Sequence, residues 1–182
     1  MCEEDFLYRK LFYAISVALI IASFGAVVIA EDLSTKSERT MQLTIYIDPI
    51  ADRTIKRIDM SPTGNSLGDA FYFNGPLRSE NATSGPIIGE LYGITTVVKM
   101  SPSASEPEQR MSKLFYTFNN STDRIVVESI TDYLPNLGTL ETNQTAVRAI
   151  VGGTGRYLGV RGQDAVTRNP DGSYTHVLTI VS

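Results

Sequence analysis

Met41-Gln42-Leu43-Thr44-Ile45-Tyr46-Ile47-Asp48 is the stretch that decides the fold class. Leu43, Ile45 and Ile47 fall on one side, and Thr44, Tyr46 and Asp48 on the other. A period of two is the signature of a half-buried strand. Pro49 follows and stops it, because proline has no N–H to give to a ladder. Further along the chain, short segments rich in β-branched and aromatic residues alternate with turn residues at 69–73, 87–100, 113–118, 124–131, 145–151, 159–168 and 173–181. Asn74-Gly75-Pro76 reads as the end of the first of these, and 101–109 as a Ser/Pro/Glu loop. Residues 119–123 read as a hairpin turn, and Asn169-Pro170-Asp171-Gly172 as a turn in which Pro sets φ and Gly accepts a positive φ. Helical periodicity is weak throughout.

These segments, with the opening one, make eight strands joined mostly by short loops. An open sheet leaves unpaired edges, and an eight-stranded sheet removes them by closing on itself. The expected fold is therefore all-β, an eight-stranded antiparallel barrel over 41–182. The interior of such a barrel is just wide enough for side chains or one small ligand.

Ahead of the barrel, Arg9 and Lys10 flank the uncharged stretch Leu11–Ala30, which ends Val28-Ile29-Ala30 before Glu31 and Asp32. A basic flank, an apolar run and a small-residue exit are the layout of a secretory signal. The run is also long enough to cross a bilayer as a helix, so an uncleaved anchor at 11–30 stands beside a cleaved signal peptide at 1–30. Residues 31–40 read as a flexible polar lead-in. On either reading the barrel is secreted or extracytoplasmic, and it meets a membrane only if the N-terminal helix is retained.

Composition excludes several function classes. The net charge of −4 gives no basic patch of the kind that binds nucleic acid. The single cysteine, Cys2, lies in the export segment, so the barrel region has no disulfide and no thiol nucleophile. His176 is the only imidazole, which leaves too few soft ligands for zinc, and no cofactor motif is present. Asn81, Asn119, Asn120 and Asn143 begin N-x-S/T tripeptides that carry sugars in a eukaryotic secretory pathway. Gly152-Gly153-Thr154-Gly155 lies between two strands, lacks the P-loop lysine and opens no helix, so it reads as a tight corner rather than a phosphate cradle.

Several of these motifs resemble the allene oxide cyclase/dirigent-like superfamily. Asn65-Ser66-Leu67-Gly68-Asp69 and Gly68 through Leu77 resemble the segment around the family's second strand, and Ile88-Gly89-Glu90-Leu91-Tyr92-Gly93 the element that follows. Ala149 through Tyr157, continuing through Gly159 to Arg161-Gly162, is similar to the GGTG-then-RG signature. Asp171 through His176 is like the end of bacterial members. The resemblance implies a barrel whose apolar lumen binds a hydrophobic small molecule and guides its cyclisation or isomerisation. Allene oxide cyclases act so on an unsaturated fatty-acid epoxide, and dirigent proteins on phenoxy radicals or quinone methides. It also implies self-association as dimers or trimers.

The resemblance places Asp48 at the position of the dirigent strand-one Asp. It puts Thr95 where the family carries Cys, and Thr95 and Val97 where dirigent tyrosines stand. Ala146 stands where the dirigent Arg is found, with Arg148 two residues on and so on the same face. Asp48 and Arg148 are the candidate catalytic residues. Arg148 is also a candidate to pair with Asp48 or to hold a carboxylate. Tyr46, Tyr92 and Thr95 are candidates for ligand binding, and no metal site is expected. Two alternatives to an isomerase or cyclase stay open: a non-catalytic lipocalin-like carrier, and a structural module of the envelope with a filled core.

Overall fold

The computed structural model describes residues 38–182 apart from 50–53, 62–63, 81–82, 104, 119–121 and 136–137. The export segment 1–30, with its expected helix, and 31–37 of the lead-in lie outside the described residues. Nine strands are present: β1 Thr40–Ile47, β2 Thr54–Ile58, β3 Ala70–Arg78, β4 Ile87–Lys99, β5 Glu108–Phe118, β6 Arg124–Tyr133, β7 Thr145–Thr154, β8 Arg161–Arg168 and β9 Tyr174–Val181. A single 3₁₀ turn, Gly155–Tyr157, is the only helical element among the described residues.

All neighbouring strands run antiparallel, in the order β1-β9-β8-β7-β6-β5-β4-β3-β2, and β1 also pairs with β3. That last pairing closes a ring of eight strands, β1 and β3 to β9, with β2 laid on β3 outside it. Side chains of one parity point into the ring. Along β5 the buried residues are Glu108, Arg110, Ser112, Leu114, Tyr116 and Phe118, and along β9 they are Tyr174, His176, Leu178 and Ile180. Ile45, Ile47, Leu77, Leu91, Leu114, Ile125, Val127, Ile150, Leu178 and Ile180 form most of the apolar core. Burying each of these is worth about 1.5–3 kcal/mol relative to leaving it in water.

Several expectations about boundaries change. β2 was not anticipated, because Thr54-Ile55-Lys56-Arg57-Ile58 is exposed along its whole length and shows no apolar face. β3 does not stop at Asn74 but runs through Gly75 and Pro76 to Arg78. It pairs with β2 as far as Asn74 and with β1 from Leu77, so on that edge Pro76 falls in the interval between two partners, while on the other it lies opposite Glu90 of β4. β5 begins at Glu108, within the stretch read as a loop, because Glu108 and Arg110 are charged residues on the inward face.

Closure rests on a short seam. β1 and β3 share only the pairs Tyr46–Arg78 and Ile47–Leu77. Just past it, Arg78 Nε and Nη2 donate to the Asp48 carboxylate at 2.7 and 3.1 Å, and Arg78 Nη1 donates to the Gly85 carbonyl at 2.7 Å. This bidentate pair is largely shielded from water.

Gly152, Gly153 and Thr154, expected to be a corner, instead extend β7 along β6, and the corner itself is the 3₁₀ turn Gly155–Tyr157. A Cβ on Gly153 would lie 2.5 Å from the carbonyl oxygens of Arg124 and Tyr157, whereas one on Gly152 would meet nothing nearer than 3.5 Å.

Two stability measurements follow. Gly153→Ala is expected to cost about 1–3 kcal/mol in urea unfolding through overpacking, with Gly152→Ala costing less than half as much. Equal losses would mean the corner is not set by that contact. Arg78→Ala, which strands a shielded carboxylate at the seam, is expected to cost about 3 kcal/mol, and a loss below about 0.5 kcal/mol would show that the seam does not need the pair.

Candidate functional site in the barrel lumen

The lumen divides into two halves. Toward the Phe118 end of β5 the inward residues are apolar. Toward the Glu108 end they include Thr95, Arg110, Ser112, Thr131, Arg148, Asp164 and His176, all buried. A cavity of about 50 Å³ lies in the polar half. Phe71, Phe73, Leu91, Leu114, Leu140 and Val166 give it apolar walls, and Thr95, Tyr133, Arg148, Tyr174 and His176 give it polar ones. Ile55 of β2 and residues 138–140 of the β6–β7 connection also line it. The space holds a few water molecules, so a guest is slim or shifts the side chains around it.

Three side chains from three strands meet at its inner side. Tyr116 O–H donates to Asp164 Oδ2 at 2.6 Å. With its one proton committed there, the Tyr116 oxygen accepts from His176 Nδ1–H at 2.6 Å. The same nitrogen lies 3.2 Å from Asp164 Oδ2. This network assigns the tautomer. It leaves His176 Nε2 without a hydrogen bond on a ring that lines the cavity. The two rings pack edge to face with centroids 5.5 Å apart.

Local pattern explains each placement. His176 shares parity with Tyr174, Leu178 and Ile180, Asp164 with Val166, and Tyr116 with Leu114 and Phe118, so each is carried inward by apolar neighbours on its strand. The environment then sets their charge. Burial, with the neighbouring Asp164 charge, pushes the Tyr116 phenol well above its ordinary range and keeps it protonated. Burial alone would raise Asp164, but the His176 ring, the Tyr116 hydroxyl and the Arg148 charge outweigh it and hold the carboxyl below its usual range.

A second polar group braces the rim. Arg110 donates from Nε to Glu108 Oε1 at 2.6 Å, and Glu108 also accepts from Asn65 Nδ2 at 2.8 and 3.0 Å. The Arg110 guanidinium lies over the Phe71 ring at 4.4 Å and the Tyr133 ring at 4.6 Å, a cation held between two π faces. Nearby, Asp69 is fully buried and accepts from Arg57 Nη2, Ser66 N, Ser66 Oγ and Met60 N. Burial opposes its charge, but these four donors hold it far below the usual carboxylate range. The Asn65–Asp69 motif thus pins the entry into β3 beside the cavity.

The residues singled out from the sequence scatter. Arg148 and Thr95 line the cavity. Arg148 reaches it by the two-residue step from Ala146, and both side chains are buried. Asp48 pairs with Arg78 at the seam, so it is not Arg148's partner, and it is not among the cavity-lining residues. Tyr46 is half-buried on the adjoining strand, opposite Arg78 and Thr175. Tyr92 is 45% exposed, and its hydroxyl donates to Glu90 Oε2 at 2.5 Å on the outer face. Tyr116, Asp164, Tyr133 and Arg110 stand outside the candidates drawn from the sequence, where His176 figures as the lone imidazole. Their inward parity was the available signal.

No protein-family model matches this chain, and no curated protein does. Solved structures do. One described as a pyocyanin demethylase superposes with a TM-score of 0.56 at 20% identity, over 78% of this chain and 99% of that one. A pterocarpan synthase dirigent protein gives 0.59 at 16% identity, over 82% and 91%. A Diels-Alderase from Streptomyces koyangensis gives 0.55 at 13% identity, over 86% and 77%. At these identities the likeness is one of fold, and the chain has the closed barrel fold shared by dirigent proteins and Diels-Alderases.

Proposed function

We propose that the barrel binds a hydrophobic small molecule in its lumen and promotes its cyclisation or isomerisation, with His176 Nε2 as the group that takes or returns a proton. The observation that carries this reading is the Tyr116–Asp164–His176 cluster, buried inside an apolar barrel and presented to its cavity. An ionised Asp164 orients Nδ1–H and stabilises positive charge on the ring when Nε2 accepts a proton. Tyr116, held protonated, keeps the carboxylate hydrogen-bonded through that change. The lumen walls exclude water and press a flexible guest into one reactive shape. The matched dirigent proteins and Diels-Alderases support a cyclisation-type role on this fold. In this reading the signal at 1–30 carries the barrel out of the cytoplasm.

Cyclisation and isomerisation conserve mass, and this gives the test. Incubated with extracts of small apolar metabolites, the protein is expected to convert a compound into a product of equal mass and different retention time. His176→Gln, checked for native circular dichroism, is expected to slow that conversion at least 100-fold. An unaffected variant would remove His176 from the chemistry. Absence of any bound guest by native mass spectrometry, together with absence of conversion, would leave a structural barrel.

The cluster also predicts a pH dependence. The folded carboxyl of Asp164 lies below its ordinary value of 3.8, so the stability it contributes is complete above that pH and drains away as pH falls through the folded value. The melting temperature of Asp164→Asn is expected to lie below that of the native protein at pH 7, with the gap narrowing below about pH 4. A gap that stays constant down to pH 2.5 would mean the cluster does not depend on an ionised Asp164.

A further inference from the structure

We infer that the guest of this lumen is a slim monocarboxylate, its carboxylate seated on Arg148 and its apolar remainder against Phe71, Phe73 and Leu140. This rests on the ligand-binding reading above and names the substrate class of the same cavity.

The argument begins with how the chain treats its guanidinium groups. Arg110 is buried against Glu108, Arg78 against Asp48, and Arg57 reaches the buried Asp69. Each cation that enters or borders the interior at these places has its carboxylate. Arg148 differs. It is 6% exposed, lines the cavity and makes no ion pair among the described residues. Its one hydrogen bond runs from Nη2 to the Tyr133 hydroxyl at 3.3 Å, and its Nε is buried with no partner. The carboxylate opposite it in register is Asp164, which feels the Arg148 charge but forms no ion pair with it: Oδ2 serves Tyr116 and His176, and Oδ1 is buried without a hydrogen bond.

A charge taken out of water without a counter-ion is costly, and chains keep such groups where a ligand completes them. The planar fork of a guanidinium matches the two oxygens of a carboxylate. A second donor points the same way: Thr139 Oγ1, on the same cavity wall, is also buried without a partner. One guanidinium and one hydroxyl suit a single negative charge rather than a dianion. The other walls are apolar and aromatic, and the open space is about 50 Å³, which sets the narrow, hydrophobic character of the rest of the guest.

The test uses sorbate and octanoate, each against its methyl ester, titrated calorimetrically at pH 7 into the full chain and its variants. For the native protein at least one acid is expected to bind ten times or more tighter than its ester. Arg148→Met should bring that acid down to the ester's affinity while leaving the ester unchanged, and Arg148→Lys should retain part of the preference. Without ligand, Arg148→Met is expected to melt within a few degrees of the native protein, because the charge it removes steadies the Asp164 carboxylate from a distance and forms no ion pair with it. Equal binding of acid and ester, or an acid preference that survives Arg148→Met, overturns the inference and leaves the apolar lumen standing. Loss of more than 5 °C in ligand-free Arg148→Met overturns it as well, since Arg148 would then have a structural partner. If neither acids nor esters bind, the ligand-binding reading falls and takes this inference with it.

Discussion

The structure depends on one strand edge serving two partners. β3 carries β2 along its first half and β1 along its last two residues, and only the second pairing makes the sheet a ring. Without it the sheet would have two free edges and no inside. With it, every inward residue of eight strands is removed from water at once, and a cavity can exist between walls that no single strand supplies. The Asp48–Arg78 pair stands at that junction, next to the two residue pairs that join the ends. An ion pair is a fitting clasp there, because it is directional and marks a register that two apolar contacts alone would specify weakly.

Closure has a consequence for charge. A ring of this size has a dry interior, yet Glu108, Arg110, Arg148, Asp164 and His176 all lie within it or at its rim. Most are answered: Arg110 by Glu108 on its own strand and by two aromatic faces from other strands, Asp164 by Tyr116 and His176 from other strands. Hydrogen bonds of this kind are stronger away from water, and a missing partner is correspondingly expensive. The unanswered atoms therefore carry information. Arg148 Nε and Thr139 Oγ1 belong to residues that line a space in the lumen where something other than protein can supply an acceptor or a donor. Stability was available from apolar residues at these positions, and the chain has given some of it up around a cavity, which is the usual relation between stability and a working site.

Much of the fold was legible because its signal is local. Alternation in 41–48 and the β-branched and aromatic runs at 124–131 and 173–181 need only neighbouring residues, and they located these strands. The turn at 169–172 was legible for the same reason, since Gly172 needs a positive φ there, whereas the corner expected at 152–155 begins only at Gly155, after β7 has run through Thr154. What local pattern missed was β2, whose exposed residues have no face to reveal, and the start of β5, where inward charges imitate a loop. The site was less legible. Arg148 and Thr95 were found by position, but Asp48 looked equally eligible until Arg78 was seen beside it.

Sequence by itself determined that the chain forms short strands, that these number enough to close, and that Leu43, Ile45 and Ile47 share one face of the first. Tertiary structure alone decided which inward residues meet. Tyr116 and Asp164 are 48 positions apart and on strands that are not neighbours, and they touch because the stagger of a closed sheet sets which residues face one another across the lumen. Parity repeats every two residues and is written in each strand separately. Facing across a barrel is a property of all eight strands together, fixed by the short seam between β1 and β3, and no segment of the chain contains it.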